Sequence, residues 1–92
     1  MGATILLPGV LRAEATGESH LEVAASGTVR EVLAEVAKRW PRLAKRICDE
    51  RGEIRRYVNV YVDGEDCRRS GGLDTPVREG SEIQVIPSVA GG

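Results

Sequence analysis

The sequence predicts an α+β domain in which a mixed sheet covers one face of a single main helix. Three observations carry that expectation. Two alternating apolar segments open the chain, one amphipathic helical stretch occupies its middle, and two further alternating segments follow. A wound βαβ chain would interleave strands and helices throughout, whereas two strands, a helix and then more strands fit a mixed sheet with its helix on one side. At 92 residues, with 41% hydrophobic residues, the chain has length for one core.

The first segment, ATILLP, sets Ile5 and Leu7 against Thr4 and Leu6, the alternation of a strand with one buried face. Pro8 and Gly9 are expected to end it. After the turn-prone ATGES, the run SHLEVA puts Leu21 and Val23 on one side and His20 and Glu22 on the other, predicting an N-terminal hairpin with a loose loop. In TVREVLAEVAKRW, Val29, Val32, Leu33, Val36, Ala37 and Trp40 recur at helical spacing, and Thr28 and Glu31 have the spacing of a capping box. Pro41 is expected to stop this helix, and RLAKRICDE adds a short second helical piece before Gly52.

The third strand is RRYVNVYVDG, with Val58, Val60 and Val62 on one face and Tyr57, Asn59 and Tyr61 on the other. Asp63-Gly64 reads as a turn and CRRSGGLDTPVREGS as loop. EIQVIP is the last strand, with Ile83 and Val85 facing opposite to Gln84 and Ile86. This order is that of the β-grasp arrangement. If the last strand lies beside the first, the residues after it project from one of the better-held elements of the sheet. The chain then divides into a folded domain, 1–87, and a flexible Gly-Gly tail, 88–92.

Composition weighs against several functions. The formal net charge is -1 with acids and bases interspersed, so no long-range field favours nucleic acid or a membrane surface. No apolar run approaches the roughly 20 residues of a spanning helix and no secretory leader is recognisable, so the chain reads as cytoplasmic. Cys48, Cys67 and His20 are too few and too far apart for a closed zinc site, and no metal is expected. Both thiols read as buried or idle, and His20 as a surface residue. The cluster Lys38, Arg39, Arg42, Lys45 and Arg46 suits the C-terminal end of the helix macrodipole as a solvated face. With Arg55-Arg56 and Arg68-Arg69 accompanied by few aromatic residues, a stacking platform for single strands is poorly supported. SGGL reads as a plain turn, and Asp63, Glu65 and Asp66 lack the rest of an EF-hand.

The stretch YVDGEDCRRSGGLDTPVREGSEIQVIPSVAGG resembles the C-terminal half of the ubiquitin-like sulfur carrier proteins. That family includes the thiamine carrier, the small subunit of molybdopterin synthase and the actinobacterial cysteine-biosynthesis carrier. VNVYVDGED, SGGL and PSVAGG together are most similar to the cysteine type. Asp63 stands where many relatives carry Asn, and Ser81 where they often carry an acid. The resemblance implies that Gly92 is adenylated by a separate ATP-using enzyme and converted to a thiocarboxylate with sulfur from a donor. No phosphate-cradling GxxxxGK[ST] loop occurs in this chain, which therefore acts as cosubstrate rather than enzyme and binds no cofactor itself. The implied partners are a ubiquitin-activating-like adenylyltransferase and sulfurtransferase, a sulfur-accepting synthase (pyridoxal phosphate cysteine synthase type, or thiazole or thiosugar synthase type), and a metal-dependent peptidase. The free carrier is expected to be a monomer.

Val89, Ala90 and Gly91 are expected to enter the partner's active site ahead of Gly92. Residues without Cβ allow the close backbone approach that a narrow channel demands. Ordering the tail costs roughly 1 to 2 kcal/mol per residue, so contacts elsewhere on the domain must offset it. Strand parity leaves Leu6, Tyr61 and Ile86 on the outer face of the sheet, where they are candidate docking residues. A ubiquitin-like modifier joined to lysines through Gly92 would need the same terminus and the same activation, so it stands as the alternative.

Overall fold

The computed structural model describes residues 2–24 and 27–87. Strand β1 is Ala3–Leu6, helix α1 Gly9–Arg12, β2 His20–Val23, β3 Gly27–Thr28, α2 Val29–Arg39, α3 Pro41–Ile47, β4 Val58–Val62, β5 Glu65–Asp66, β6 Pro76–Val77 and β7 Glu82–Pro87. Five strands form one sheet in the order β2-β1-β7-β4-β5, and β3 and β6 make a separate two-stranded pair. Only the β1 and β7 contact is parallel; the other pairings in the large sheet are antiparallel. This is the β-grasp fold the element order predicts, with α2 and α3 over the inner face.

The parity expected of the strands holds throughout. Ile5, Leu7, Leu21, Val23, Val58, Val60, Val62, Ile83 and Val85 are all buried, and they meet Val29, Val32, Leu33 and Val36 of α2 in one cluster. Leu43 and Ile47 of α3 join it, four residues apart and so on one helix face. Burying a side chain of this size stabilises by about 1.5–3 kcal/mol. Ala37 departs from the expected stripe: it is exposed, because the apolar face of α2 ends at Val36 and α3 closes the core beyond it. Trp40 is half-buried against the core, and its ring carries the Arg39 guanidinium 4.3 Å from its centroid.

The start of α2 forms as its spacing predicts. Thr28 Oγ1 accepts from the Glu31 N–H at 3.3 Å, and Glu31 Oε1 accepts from the Thr28 N–H at 3.1 Å. Together these satisfy two donors that the first turn of a helix otherwise leaves orphaned. Thr28→Ala is expected to cost about 1 kcal/mol, read as a lowered midpoint in urea with an unchanged slope. Pro41 does end α2, and it also opens α3 as its first residue, where a missing N–H costs nothing.

Two segments expected to be loops are ordered. The β1–β2 connection is a packed corner rather than a loose loop: Pro8 caps α1, and a 3-10 turn over Ala13–Ala15 continues it until Thr16 and Gly17 take positive φ. Leu11 and Ala15, one turn apart, are buried, while Glu14 receives Arg42 at 3.3 Å and Arg46 at 3.1 Å. Two of the five cations read as a solvated cluster therefore tie α3 to this corner.

The second segment follows the Asp63-Gly64 turn, whose φ values of 50° and 88° bring β5 back onto β4. Beyond β5 lie 3-10 turns at Cys67–Arg69 and Gly72–Asp74, and then β6. Thr75 is buried here, its hydroxyl donating to Cys67 O at 3.1 Å or Gly72 O at 2.7 Å, and its carbonyl accepts from the Val29 N–H at 3.0 Å. The two positions that depart from the sulfur-carrier pattern touch each other. Ser81 Oγ donates to Asp63 Oδ2 at 3.0 Å, and Asp63 Oδ1 accepts from the Glu82 N–H at 2.9 Å, locking the β4–β5 turn to the start of β7.

Candidate functional site

The site begins with where β7 lies. It is the middle strand of five, paired through Thr4, Ile5 and Leu6 on one side and through residues 58–62 on the other. Its last described residue, Pro87, sits opposite Val58. Ser88, Val89, Ala90, Gly91 and Gly92 lie outside the described residues, so the expected tail and the roles assigned to it are not part of the geometry that follows.

The edge of β4 near this point is fastened by Arg68. Short β5 pairs only with Tyr61 and Val62, and the Arg68 guanidinium covers what it leaves: Val58 O at 2.8 Å, Arg55 O at 3.0 Å and Asn59 Oδ1 at 2.8 Å. By sequence alone Arg68 is no more than added positive charge. It is a strut beside the strand that faces Pro87.

Leu6, Tyr61 and Ile86 do share the outer face of the sheet. Leu6 and Tyr61 flank Gln84 from the two sides, and Ile86 stands beside Asn59 in the next row. Leu6 and Tyr61 are half-buried, whereas Ile86 is 38% exposed, so Ile86 is the one of the three a partner would reach most readily. Two large apolar side chains are more exposed than Ile86: Tyr57 at 51%, which strand parity puts outward although it is not among the expected docking residues, and Val10 at 65%, which no alternation marks. Val10 was hidden because its segment read as a loop. The signal that was present is Leu11 and Ala15 at helical spacing behind Pro8, which makes a short helix with Leu11 inward and Val10 outward.

A depression of about 270 Å³ opens at this end of the sheet, lined by Leu6, Pro8, Arg12, His20, Gln84 and Ile86 among others. His20 is exposed, as expected, and its Nδ1 lies 2.8 Å from Ser19 Oγ. A larger depression of about 470 Å³ lies on the helical layer, between α2, α3 and Leu73, and contains no residue of β1 or β7.

The thiols are free. Burial pushes Cys67 above its ordinary thiol value, with Asp66 adding to the effect and Arg68 opposing it. Burial likewise raises Cys48, with Asp49 adding and Arg55 opposing. Both are therefore held as neutral thiols near pH 7, the unreactive form. No group of three or more His, Cys, Asp or Glu side chains suited to a metal occurs among the described residues. No described helix is long and apolar enough to cross a membrane.

A sheet whose final strand is held centrally, with α2 packed on the inner face and the chain continuing past the strand end, defines the ubiquitin-like β-grasp class. The chain belongs to the ThiS family, whose model matches residues 5–92. It is 36% identical over 95 residues to the sulfur carrier protein CysO of Mycobacterium tuberculosis, covering 100% of both chains. A crystal structure of the Amycolatopsis orientalis BexX/CysO complex contains a chain that superposes with a TM-score of 0.88 at 37% identity, covering 98% of this chain and 99% of that one. The small archaeal modifier protein 3 of Haloferax volcanii is 34% identical over 65 residues, which is 71% of this chain and 70% of that protein.

Proposed function

We propose that this protein carries sulfur as a thiocarboxylate on Gly92 and delivers it to a biosynthetic acceptor. The observation that carries the reading is the central position of β7 in a sheet of the sulfur-carrier family, with Gly91 and Gly92 five residues beyond its end at most. Five residues reach at most about 17 Å. A rigid body with a glycine-ended arm of that length suits a substrate that must enter another protein's active site.

The chemistry is then supplied by partners. A Gly92 carboxylate oxygen attacks the α-phosphorus of ATP, pyrophosphate leaves, and an acyl-adenylate forms. Hydrosulfide released by a donor adds through sulfur to the carbonyl carbon; the carbon–oxygen bond to AMP breaks, AMP departs with that electron pair, and the S–H proton is lost to solvent. The resulting thiocarboxylate presents soft, anionic sulfur to an acceptor synthase, for cysteine or another sulfur-containing metabolite such as a thiosugar, a thiazole or molybdopterin. This chain's own residues hold β7 through its pairing with β1 and with the β4 that Arg68 braces, and present the face that docks. The likeness to a CysO chain crystallised in complex with BexX supports a carrier that docks onto a separate protein partner.

Mass spectrometry of the protein from its native host tests the reading. Replacement of one oxygen by sulfur adds about 16 Da to the terminal peptide. At neutral pH iodoacetamide should label that peptide and leave Cys48 and Cys67 unmodified in the folded protein, because their thiols are held neutral. Terminal peptides that carry only oxygen in an actively growing host would refute the proposal. The likeness to a small archaeal modifier supports a second reading, conjugation to lysines, whose mark would be Gly-Gly remnants on other proteins. In this chain the acceptors for self-conjugation are Lys38 and Lys45, so Lys38→Arg with Lys45→Arg would remove such products.

Docking through Leu6, Tyr61 and Ile86 is part of the proposal. Ile86→Asp should weaken the affinity of the activating enzyme at least about tenfold, the size of an interface anchor. Because Ile86 is partly exposed, the loss of folding stability should stay near 1 kcal/mol, the span of strand propensity. Unchanged affinity in calorimetry would remove this face from the interface.

A further inference from the structure

The large sheet ends on β2 at one side and on β5 at the other. β5 is two residues long, and Arg68 covers part of β4 that it leaves open. β2 is the longer free edge, four residues with a neighbouring strand on one side only. Its pairing with β1 fixes which backbone groups face outward. Leu6 stands opposite His20, and the Leu7 N–H donates to Ser19 O at 2.8 Å, so Ser19, Leu21 and Val23 turn their N–H and C=O groups toward β1. His20 and Glu22 turn theirs away.

Such an edge is a template for another strand unless something blocks it. Here the block is Arg39 in the last turn of α2, whose Nη1 donates to Glu22 O at 2.9 Å. Its guanidinium carbon lies 4.3 Å from the centroid of the Trp40 ring, which holds the group in place. Among the described residues no other hydrogen bond reaches the outward backbone groups of His20 and Glu22.

The edge is also complementary to itself. A second copy laid antiparallel, with Leu21 opposite Leu21, sets His20 against Glu22 twice, once on each side of a two-fold axis. These are the residues whose backbone groups point outward, so each pair exchanges two hydrogen bonds. Their side chains match as well. Glu22 uses Oε2 on the Thr4 hydroxyl at 2.9 Å and keeps Oε1, while His20 Nδ1 lies 2.8 Å from Ser19 Oγ and leaves Nε2 for the facing carboxylate. The same register keeps the buried Leu21 of both copies on the core side of the sheet.

From this geometry we infer that the β2 edge is a self-pairing surface, that the partner it fits is a second copy of this chain, and that Arg39 holds it shut. The inference goes beyond the carrier reading, because nothing in it depends on Gly92.

The test is sedimentation equilibrium of the full chain over a concentration series. Arg39→Met keeps an apolar stem over Trp40 and loses the donor; it should self-associate at least about tenfold more tightly than wild type, a change of about 1.4 kcal/mol. Arg39→Ala, which removes the stem too, should do the same, and the variant that retains the wild-type circular dichroism spectrum decides. In that background His20→Glu sets like charges opposite each other and should weaken the dimer about threefold. Adding Glu22→Lys restores opposite charges and should recover it. Amide hydrogen exchange gives the location: the His20 and Glu22 N–H groups should exchange slowly in the variant dimer and fast in wild type. A folded variant no more associated than wild type, a dimer indifferent to the His20 and Glu22 charges, or new protection only outside β2 would overturn the inference. So would capture of an extended Thr-Val peptide by a variant that does not pair with itself.

Discussion

Removal of Gly92 is expected to reduce pyrophosphate release by the activating enzyme at least about 100-fold while leaving thermal unfolding unchanged. The deletion withdraws the reacting carboxylate by about 3.5 Å, one residue of extended chain. Misplacement of a reacting group by as little as 1 Å costs about that factor. Extension of the chain beyond Gly92 by a tag should be equally damaging, because it replaces the carboxylate with an amide that cannot attack the nucleotide. Folding should not respond, since the sheet is complete at Pro87, with β7 paired on both sides. Normal turnover of the tagged protein would refute the tail's role.

Leu11→Ala is expected to destabilise the domain by about 2–5 kcal/mol, the range for removing a fully buried leucine. Leu11 is 2% exposed and belongs to the main core cluster, although it lies between β1 and β2 where the sequence suggests only a loop. Against a total stability of about 5–15 kcal/mol for a domain, that loss is large enough to unfold a marginal fraction of the protein. Val10→Ala, its 65% exposed neighbour, should cost less than about 0.5 kcal/mol. Equal and small effects of the two in urea denaturation would mean that the corner is as loose as its sequence implies. The contrast also isolates docking, since Val10 is available to a partner without supporting the fold.

The fold's legibility depended on the range over which each pattern acts. Alternation in ATILLP, VNVYV and EIQVIP is a local property of a pleated backbone, so the inward set could be read directly and is buried without exception. The capping box of Thr28 and Glu31 is local too, closing within one turn. By contrast, β3, β5 and β6 are two residues each, too short to show any period, and exist only because a partner strand lies alongside. The corner of Leu11 and Ala15 and the buried hydroxyl of Thr75 have the same origin: neighbours distant in sequence enclose them. Ala37 shows the converse, a residue at the right helical spacing with nothing placed over it.

The candidate site divides in the same way. From the chain alone came the family resemblance, Gly92 as the expected reacting end, and the parity that puts Leu6, Tyr61 and Ile86 outward. These follow from residue order and a period of two, and neither requires knowing which strands are neighbours. Tertiary structure decided that β7 is central and parallel to β1, that Arg68 braces β4 beside its end, and that Arg39 reaches the outer edge of β2. Those facts depend on strand order and direction, which are set by how the whole apolar surface is best enclosed and which no short stretch of sequence encodes.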